Sequence, residues 1–152
     1  MSERARNLAQ QFEQANHELI ATVEGLSDHQ WRTETPGDGR TVGVVAHHVA
    51  GGHMGISGLV QKIASGESFP MPNIDKMNAE HAVQYANATK AETLALLRQN
   101  GAAAAAMVRG LGDAQLDRVG GSMGMSAAQA IERVLIGHVN DHHGSIRKAI
   151  GA

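Results

Sequence analysis

Apolar residues recur every three or four positions along most of this 152-residue chain, and that spacing is typical of amphipathic helices. Apolar stripes of this kind cover the segments of about 3–25, 42–65 and 127–149, and the segment of about 75–111 is rich in alanine and leucine. No stretch shows sustained two-residue alternation or a β-branched cluster bounded by turns, so we predict no sheet. The pattern therefore predicts an all-α protein, a four-helix bundle.

Capping and breaking residues mark the ends of these helices. Thr41 is the expected N-cap of the second helix, and Ser126 followed by Gln129 is the capping-box signature of the fourth. Gly101 lies inside the third segment, where it indicates either a kink or a break. The length of the chain predicts a single domain, 1–152, around one core.

A short pattern occurs twice, each time where a predicted helix ends. Gly25-Leu26-x-Asp28-x-Gln30 recurs as Gly110-Leu111-x-Asp113-x-Gln115. The repeat indicates either two related helical hairpins or the ordinary frequency of these residue types at helix exits.

Composition and charge exclude several classes of function. The absence of cysteine excludes disulfides, thiolate metal ligands and a cysteine nucleophile. A net charge of −2 gives no reason to expect nucleic acid or an anionic membrane as a partner. No apolar run is long enough to cross a membrane, and the N-terminus carries no apolar signal core, so we expect a cytoplasmic protein.

Two histidines share the apolar stripe of the fourth helix. His138 and His142 fall in line with Ile131 and Leu135, so both imidazoles are expected to face the bundle interior. Histidines one turn apart can bind a single cation. Two partly buried histidines hydrogen-bonded to their neighbours would give the same pattern.

The second helix offers a third imidazole. Of His47, His48 and His53, only His48 lies on the stripe that includes Val45 and Val49, and the other two are expected to flank it. Three inward imidazoles would form a His₃ site with a position open for water or substrate, as is typical of catalytic metals. Zinc is the expected metal, and imidazole ligands also suit nickel, iron and copper.

Together these motifs resemble those of the DinB-like superfamily of metal-dependent four-helix bundles. The stretch "TVGVVAHHVAGGHM" begins at Thr41, and "IGHVNDHHGSI" follows near the end of the chain. The superfamily has one histidine after a Ser/Thr-initiated second helix and an HxxxH pair on the last helix. The resemblance therefore implies that His48, His138 and His142 are the metal ligands. His47 leaves the first ligand ambiguous by one position, and helical phase favours His48.

The resemblance also implies a topology and an activity. The family fold is an up-down-down-up bundle that is commonly dimeric, so a homodimer is expected. The superfamily includes bacillithiol and mycothiol S-transferases and mycothiol-dependent maleylpyruvate isomerases. These relatives imply a divalent-metal enzyme that acts with an exogenous low-molecular-weight thiol on a small electrophilic substrate. Because the chain has no cysteine, the thiol must come from another molecule.

Other polar residues each have two interpretations. Asp141 either accepts a proton from a ligand imidazole or belongs to a solvated face, which is favoured. The cluster of Asn78, Glu80 and His81 either lines the mouth of a cavity or faces solvent at a helix start, which is favoured. Arg40 and Arg147 either hold an anionic ligand or are ordinary surface arginines; His17 and His29 are expected at the surface, and Trp31 against the bundle.

Two further functions fit the same residues. A non-catalytic metal-binding or stress-associated helical protein would be favoured by a fourth protein ligand, such as Glu80 or Asp141. A thiol-independent metal-dependent hydrolase would be favoured by a general base beside the open position.

Overall fold

Three of the four long helices begin and end close to the predicted positions. The computed structural model describes residues 2–37, 39–121 and 124–152. Its long helices are α1 (Glu3–Glu24), α3 (Val42–Ser65), α5 (Lys90–Arg109) and a final helix built from α7 (Ala127–Ala130), a π-helical segment (Ile131–Ile136) and α8 (Gly137–Ile150). Three shorter helices connect them: α2 (Asp28–Trp31), α4 (Ile74–Gln84) and α6 (Asp113–Asp117).

The packing of the long helices confirms the predicted all-α, up-down-down-up four-helix bundle. Both α1 and α3 pack against α5 and against the final helix, so α1 lies diagonally across the bundle from α3, and α5 lies diagonally across from the final helix. The core between them is aliphatic, with Phe12 as its one fully buried large aromatic side chain among the described residues. Within the described ranges, no helix is both long and apolar enough to cross a membrane.

The predicted capping residues are confirmed. The Thr41 hydroxyl accepts a hydrogen bond from the Val44 amide at 3.2 Å, which begins α3. Ser126 and Gln129 form the complete capping box at the start of α7. These caps matter for the site, because α3 and the final helix carry its histidines.

The repeated sequence pattern corresponds to two similar helix exits. Gly25 ends α1 and Gly110 ends α5, and the leucine that follows each of them is buried. In both turns a glutamine side chain, Gln30 or Gln115, accepts a hydrogen bond from a backbone amide at 2.9 Å. The repeat therefore forms the same kind of helix exit at both positions.

The predicted third helix is wrong in one respect, because it is two helices. The chain leaves α4 at Tyr85, and Thr89 begins α5 with a capping box completed by Glu92. Gly101 marks neither a kink nor a break: it lies inside α5, where a Cβ atom would collide with the Asn16 side-chain amide of α1. Glycine is therefore required there by the close approach of the two helices.

The prediction of no sheet is also wrong, by one small hairpin. Strands β1 (Val119–Gly120) and β2 (Met125–Ser126) pair antiparallel between α6 and the final helix. The pairing ends with the Ala127 amide donating to the Arg118 carbonyl at 3.0 Å, so it satisfies backbone groups where the chain reverses. Residues 122 and 123 of the connecting turn lie outside the described part of the chain.

Trp31 packs the segment before α3 onto the bundle, as predicted. Its ring lies against Gly43, where a Cβ atom would come within 2.5 Å of Cε2. The indole nitrogen donates to the Ala88 carbonyl at 3.1 Å. Trp31 thereby connects the start of α3 to the segment between α4 and α5.

Candidate metal centre

Three imidazoles converge between α3 and α8. His48 lies on α3, and His138 and His142 lie one turn apart on α8. One ring nitrogen from each side chain lies within 4.8 Å of the other two. The His48 and His138 Nε2 atoms are 2.9 Å apart, and the three ring centroids are separated by 4.5 to 4.9 Å. The structure thus brings together all three residues that the sequence analysis selected.

The backbone of the final helix turns from π-helical to α-helical immediately before the histidine pair. The π-helical segment ends at Ile136, and His138 is the second residue of α8. One π turn holds more residues than an α turn, so it changes the direction in which all later side chains point. This segment therefore helps to set which face of α8 carries His138 and His142 toward α3.

Gly52 provides the space that the His138 ring occupies. A Cβ atom at Gly52 would lie 2.6 Å from Cε1 and 3.1 Å from Nδ1 of His138. Neither distance leaves room for a methyl group, so the imidazole rests on the α3 backbone at this point. The neighbouring Gly51 and Gly55 have open space at the same position.

The surroundings keep the imidazoles of His48 and His138 neutral. Burial, together with the charge that His138 and His142 would carry, lowers the pKa of His48 to about 3. Burial and the proximity of His142 lower the pKa of His138 to about 4. At neutral pH each of these rings therefore has a lone pair available, which is the state that binds a metal ion.

The donor set suits a divalent transition-metal cation. Three neutral imidazole nitrogens are common ligands of zinc, nickel and iron. Among the described residues, the cluster includes no fourth histidine or carboxylate, and both Asp141 and Glu80 are exposed. The His138 Nδ1 atom is buried without a hydrogen-bond partner in the described part of the chain, although its Nε2 atom faces His48. A metal ion held by these three histidines would keep a coordination position open for a small molecule.

His47 takes a different place from His48. Its Nδ1 atom lies 2.8 Å from Nε2 of His81 on α4, and its ring stacks on Tyr85 at 4.1 Å between centroids. His48, the histidine that helical phase favoured, is therefore the one that joins the cluster. The favoured interpretation of His81 as a solvent-facing residue is wrong, because its ring is partly buried and lies 5.7 Å from the His48 ring.

His53 was expected to flank the inward stripe of the second helix, and this expectation is wrong. It is fully buried, its Nε2 atom lies 2.8 Å from the Asn16 Oδ1 atom, and its ring meets Phe12 edge to face. Because α3 packs against α5 and the final helix, it buries more than the single stripe that the periodicity identified.

The remaining predicted residues fall into two groups. Asp141, Glu80, Arg147, His17 and His29 are exposed, and Glu80 forms an ion pair with Lys76 at 3.9 Å. Arg40 is partly buried, and its positive charge contributes to the lowered pKa values of His48, His81 and His138. Arg40 therefore lies near the histidine cluster, and Arg147 lies near His143, whose pKa is lowered by burial and by this neighbouring charge.

Comparisons with known proteins agree with this architecture. The family model for the mycothiol maleylpyruvate isomerase N-terminal domain matches residues 12–142. The solved structure of YfiT from Bacillus subtilis, described as a probable metal-dependent hydrolase with an unusual four-helix bundle topology, is 23% identical with a TM-score of 0.81. The alignment covers 99% of this chain and 90% of YfiT, and at this identity it shows a shared fold. No curated protein matches the sequence.

Proposed function

This chain belongs to the family of mycothiol maleylpyruvate isomerase N-terminal domains, within the DinB-like superfamily, and from that premise we propose that it is a divalent-metal-dependent enzyme. Its reaction transfers or adds an exogenous low-molecular-weight thiol to a small electrophilic substrate, as an S-transferase or an isomerase. His48, His138 and His142 hold the metal. Small molecules are its partners, and the active form is a cytoplasmic homodimer of the single domain 1–152.

One observation carries the proposal: one nitrogen from each of three imidazoles lies within 4.8 Å of the other two, without a fourth side-chain ligand among the described residues. A structural metal site is usually closed by four protein ligands, whereas a catalytic one keeps a position open. When bound there, a divalent cation supplies Lewis acidity that lowers the pKa of a coordinated thiol or water.

The chain's own side chains supply position and charge. The partly buried rings of His48 and His138 keep their lone pairs at neutral pH, because burial disfavours their protonation. Arg40 places a positive charge near the same rings, where it favours an anionic thiol or carboxylate. The protein contributes no cysteine, so the reacting sulfur belongs to a second molecule.

A second candidate function is metal-dependent hydrolysis without a thiol. The hydrogen-bonded pair of His47 and His81 lies beside His48, and an imidazole of this pair is the candidate general base for such a reaction. The description of YfiT as a probable metal-dependent hydrolase agrees with this alternative.

Thiol dependence separates the two functions. We expect the zinc-loaded protein, purified without a histidine tag, to accelerate the reaction of mycothiol or bacillithiol with monochlorobimane, and chelator-treated protein to leave the rate at background. Hydrolysis of p-nitrophenyl acetate without any thiol would instead support the hydrolase. A protein that binds zinc but accelerates neither reaction would be a non-catalytic metal-binding protein, which would overturn the proposed enzyme.

Substituting Gly52 tests whether the His138 ring position matters for the metal. A Cβ atom at Gly52 displaces the ring, so Gly52→Ala is expected to weaken zinc binding by about 10- to 100-fold, the range seen when the support of a ligand is lost. Competition with a chromophoric chelator measures the affinity. The matched control is Gly51→Ala, which has open space at its Cβ position. Equal zinc affinities for the two variants would contradict the assignment of His138 as a ligand.

A further inference from the structure

A buried hydrogen-bond chain crosses the bundle behind the histidine cluster. The Asn16 side-chain amide of α1 donates to the Leu97 carbonyl of α5 at 3.0 Å. That bond fixes the amide orientation, so Asn16 Oδ1 faces His53 Nε2 on α3 at 2.8 Å and must accept from it. His53 therefore carries its proton on Nε2, and its Nδ1 atom is an acceptor.

In the part of the chain that the structure describes, the acceptor His53 Nδ1 lacks a hydrogen-bond donor, and Nδ1 of the proposed ligand His138 lacks an acceptor. His53 is fully buried, and its Nδ1 atom has no hydrogen-bond partner among the described residues. His138 directs Nε2 into the cluster, and its buried Nδ1 atom likewise has no partner there. When the Nε2 lone pair of a neutral His138 holds a cation, its proton resides on Nδ1, which becomes a donor.

His53 and His138 interact electrostatically where α3 packs against α8. His138 rests on Gly52, where a Cβ atom would lie 3.1 Å from its Nδ1 atom, and His53 is the next residue of α3. The two rings are also close enough for the charge of His53 to act on His138. Burial of a donor and an acceptor without partners is costly, and one ordered water between the two nitrogens would satisfy both.

We propose that His53 is a positioning residue for the metal centre: His138 Nδ1–H is linked through one buried water to His53 Nδ1, and onward to Asn16 and Leu97. The inference rests on the proposed function, because it requires His138 Nε2 to hold a cation. The chain would connect a ligand on α8 to the interiors of α3, α1 and α5, and so fix the ring orientation of that ligand.

Two substitutions at His53 test the roles of its two ring nitrogens one at a time. The polar end of glutamine reaches the position of Nε2, so His53→Gln keeps the bond to Asn16 and loses the Nδ1 acceptor. The polar end of asparagine reaches the position of Nδ1, so His53→Asn keeps that acceptor and loses the bond to Asn16. Zinc affinity measured by chelator competition should fall about 10- to 100-fold in His53→Gln and stay near the wild-type value in His53→Asn. Thermal unfolding of the metal-free proteins should show the opposite order, with His53→Asn the less stable.

The matched control is His17→Gln, because His17 is an exposed histidine on α1 and is expected to change neither quantity. Unchanged zinc affinity in His53→Gln, with zinc bound by the wild type, overturns this inference and leaves the proposed function intact. A wild type that binds no zinc overturns both. If either variant fails to fold, long-range ¹H–¹⁵N spectra of the zinc-loaded wild type decide: protons on His53 Nε2 and His138 Nδ1 support the link, and any other pair of tautomers contradicts it.

Discussion

His138→Ala is expected to remove bound divalent metal from a protein that otherwise holds about one ion per chain. The variant loses one of three converging imidazoles, and with it the nitrogen that lies 2.9 Å from His48 Nε2. Loss of a ligand should cost more than loss of the group that supports a ligand, so we expect affinity for zinc to fall by more than about 100-fold. Elemental analysis of protein purified without a histidine tag measures the metal content directly.

The variant should remain folded. His138 is partly buried and lies at the edge of the aliphatic core, over Gly52, so alanine leaves space at the site without removing a core side chain. Far-UV circular dichroism and thermal unfolding check this point. His17→Ala is the control, since this exposed histidine on α1 lies outside the cluster and should leave the metal content unchanged. A metal-free wild type, or a His138→Ala protein with full metal content, would contradict the three-histidine site.

The histidine cluster could be predicted because helical geometry relates sequence spacing to direction. His138 and His142 are four residues apart and therefore share a face, whatever the rest of the fold does. His48 and His47 differ by about 100° around the helix. Their positions relative to the stripe of buried valines therefore distinguish His48 from His47. The structure brings His48 to the pair because α3 packs directly against α8.

The position of His81 could not be predicted from helical spacing. Its position depends on how α4 lies across α3, and α4 has no buried residue whose pattern would indicate that packing. The break before α5 did leave a signal, since Thr89 and Glu92 form the same kind of capping box as Ser126 and Gln129. An alanine-rich sequence with continuous helix propensity obscured it.

The buried hydrogen bond of His53 and the π-helical segment both depend on tertiary contacts. His53 lies four residues after Val49 and so shares the face of α3 that Val45 and Val49 define, but its polar partner, Asn16 of α1, lies across the bundle, where helical spacing gives no information. No residue pattern distinguishes Ile131–Ile136 from an α-helical turn, since its two adjacent charged residues lie between apolar ones as in any amphipathic helix. Both features depend on contacts between helices that are distant in sequence.

Acid is expected to destabilise the metal-free protein well above the pH at which its carboxylates protonate. Burial lowers the pKa of His53 to about 4, from an ordinary value of 6.5. As the pH falls through 6.5, the unfolded chain takes up a proton at this residue, whereas the folded chain does not until about pH 4. The unfolded state therefore binds more protons between these values, and stability that is fully present above pH 6.5 is lost as the pH falls toward 4.

The expected loss of stability on acidification is large for a single residue. The gap between the two pKa values of the fully buried His53 corresponds to about 3 kcal/mol. His48, His81 and His138 have lowered pKa values as well, so they act in the same direction, with smaller contributions where solvent reaches the ring. A domain of this size is typically stable by about 5–15 kcal/mol, so the histidines account for a substantial share.

Urea unfolding in the presence of a chelator, at pH 7.5 and at pH 4.5, measures this loss. His53→Gln takes up no proton at this position, so its unfolding free energy should fall less between the two pH values than that of the wild type. His17→Gln should fall as much as the wild type, because His17 is exposed. An equal decrease in the wild type and His53→Gln would mean that the buried His53 is protonated in the folded state as readily as in the unfolded one. Its contacts with Asn16 and Phe12 would then not exclude the charge.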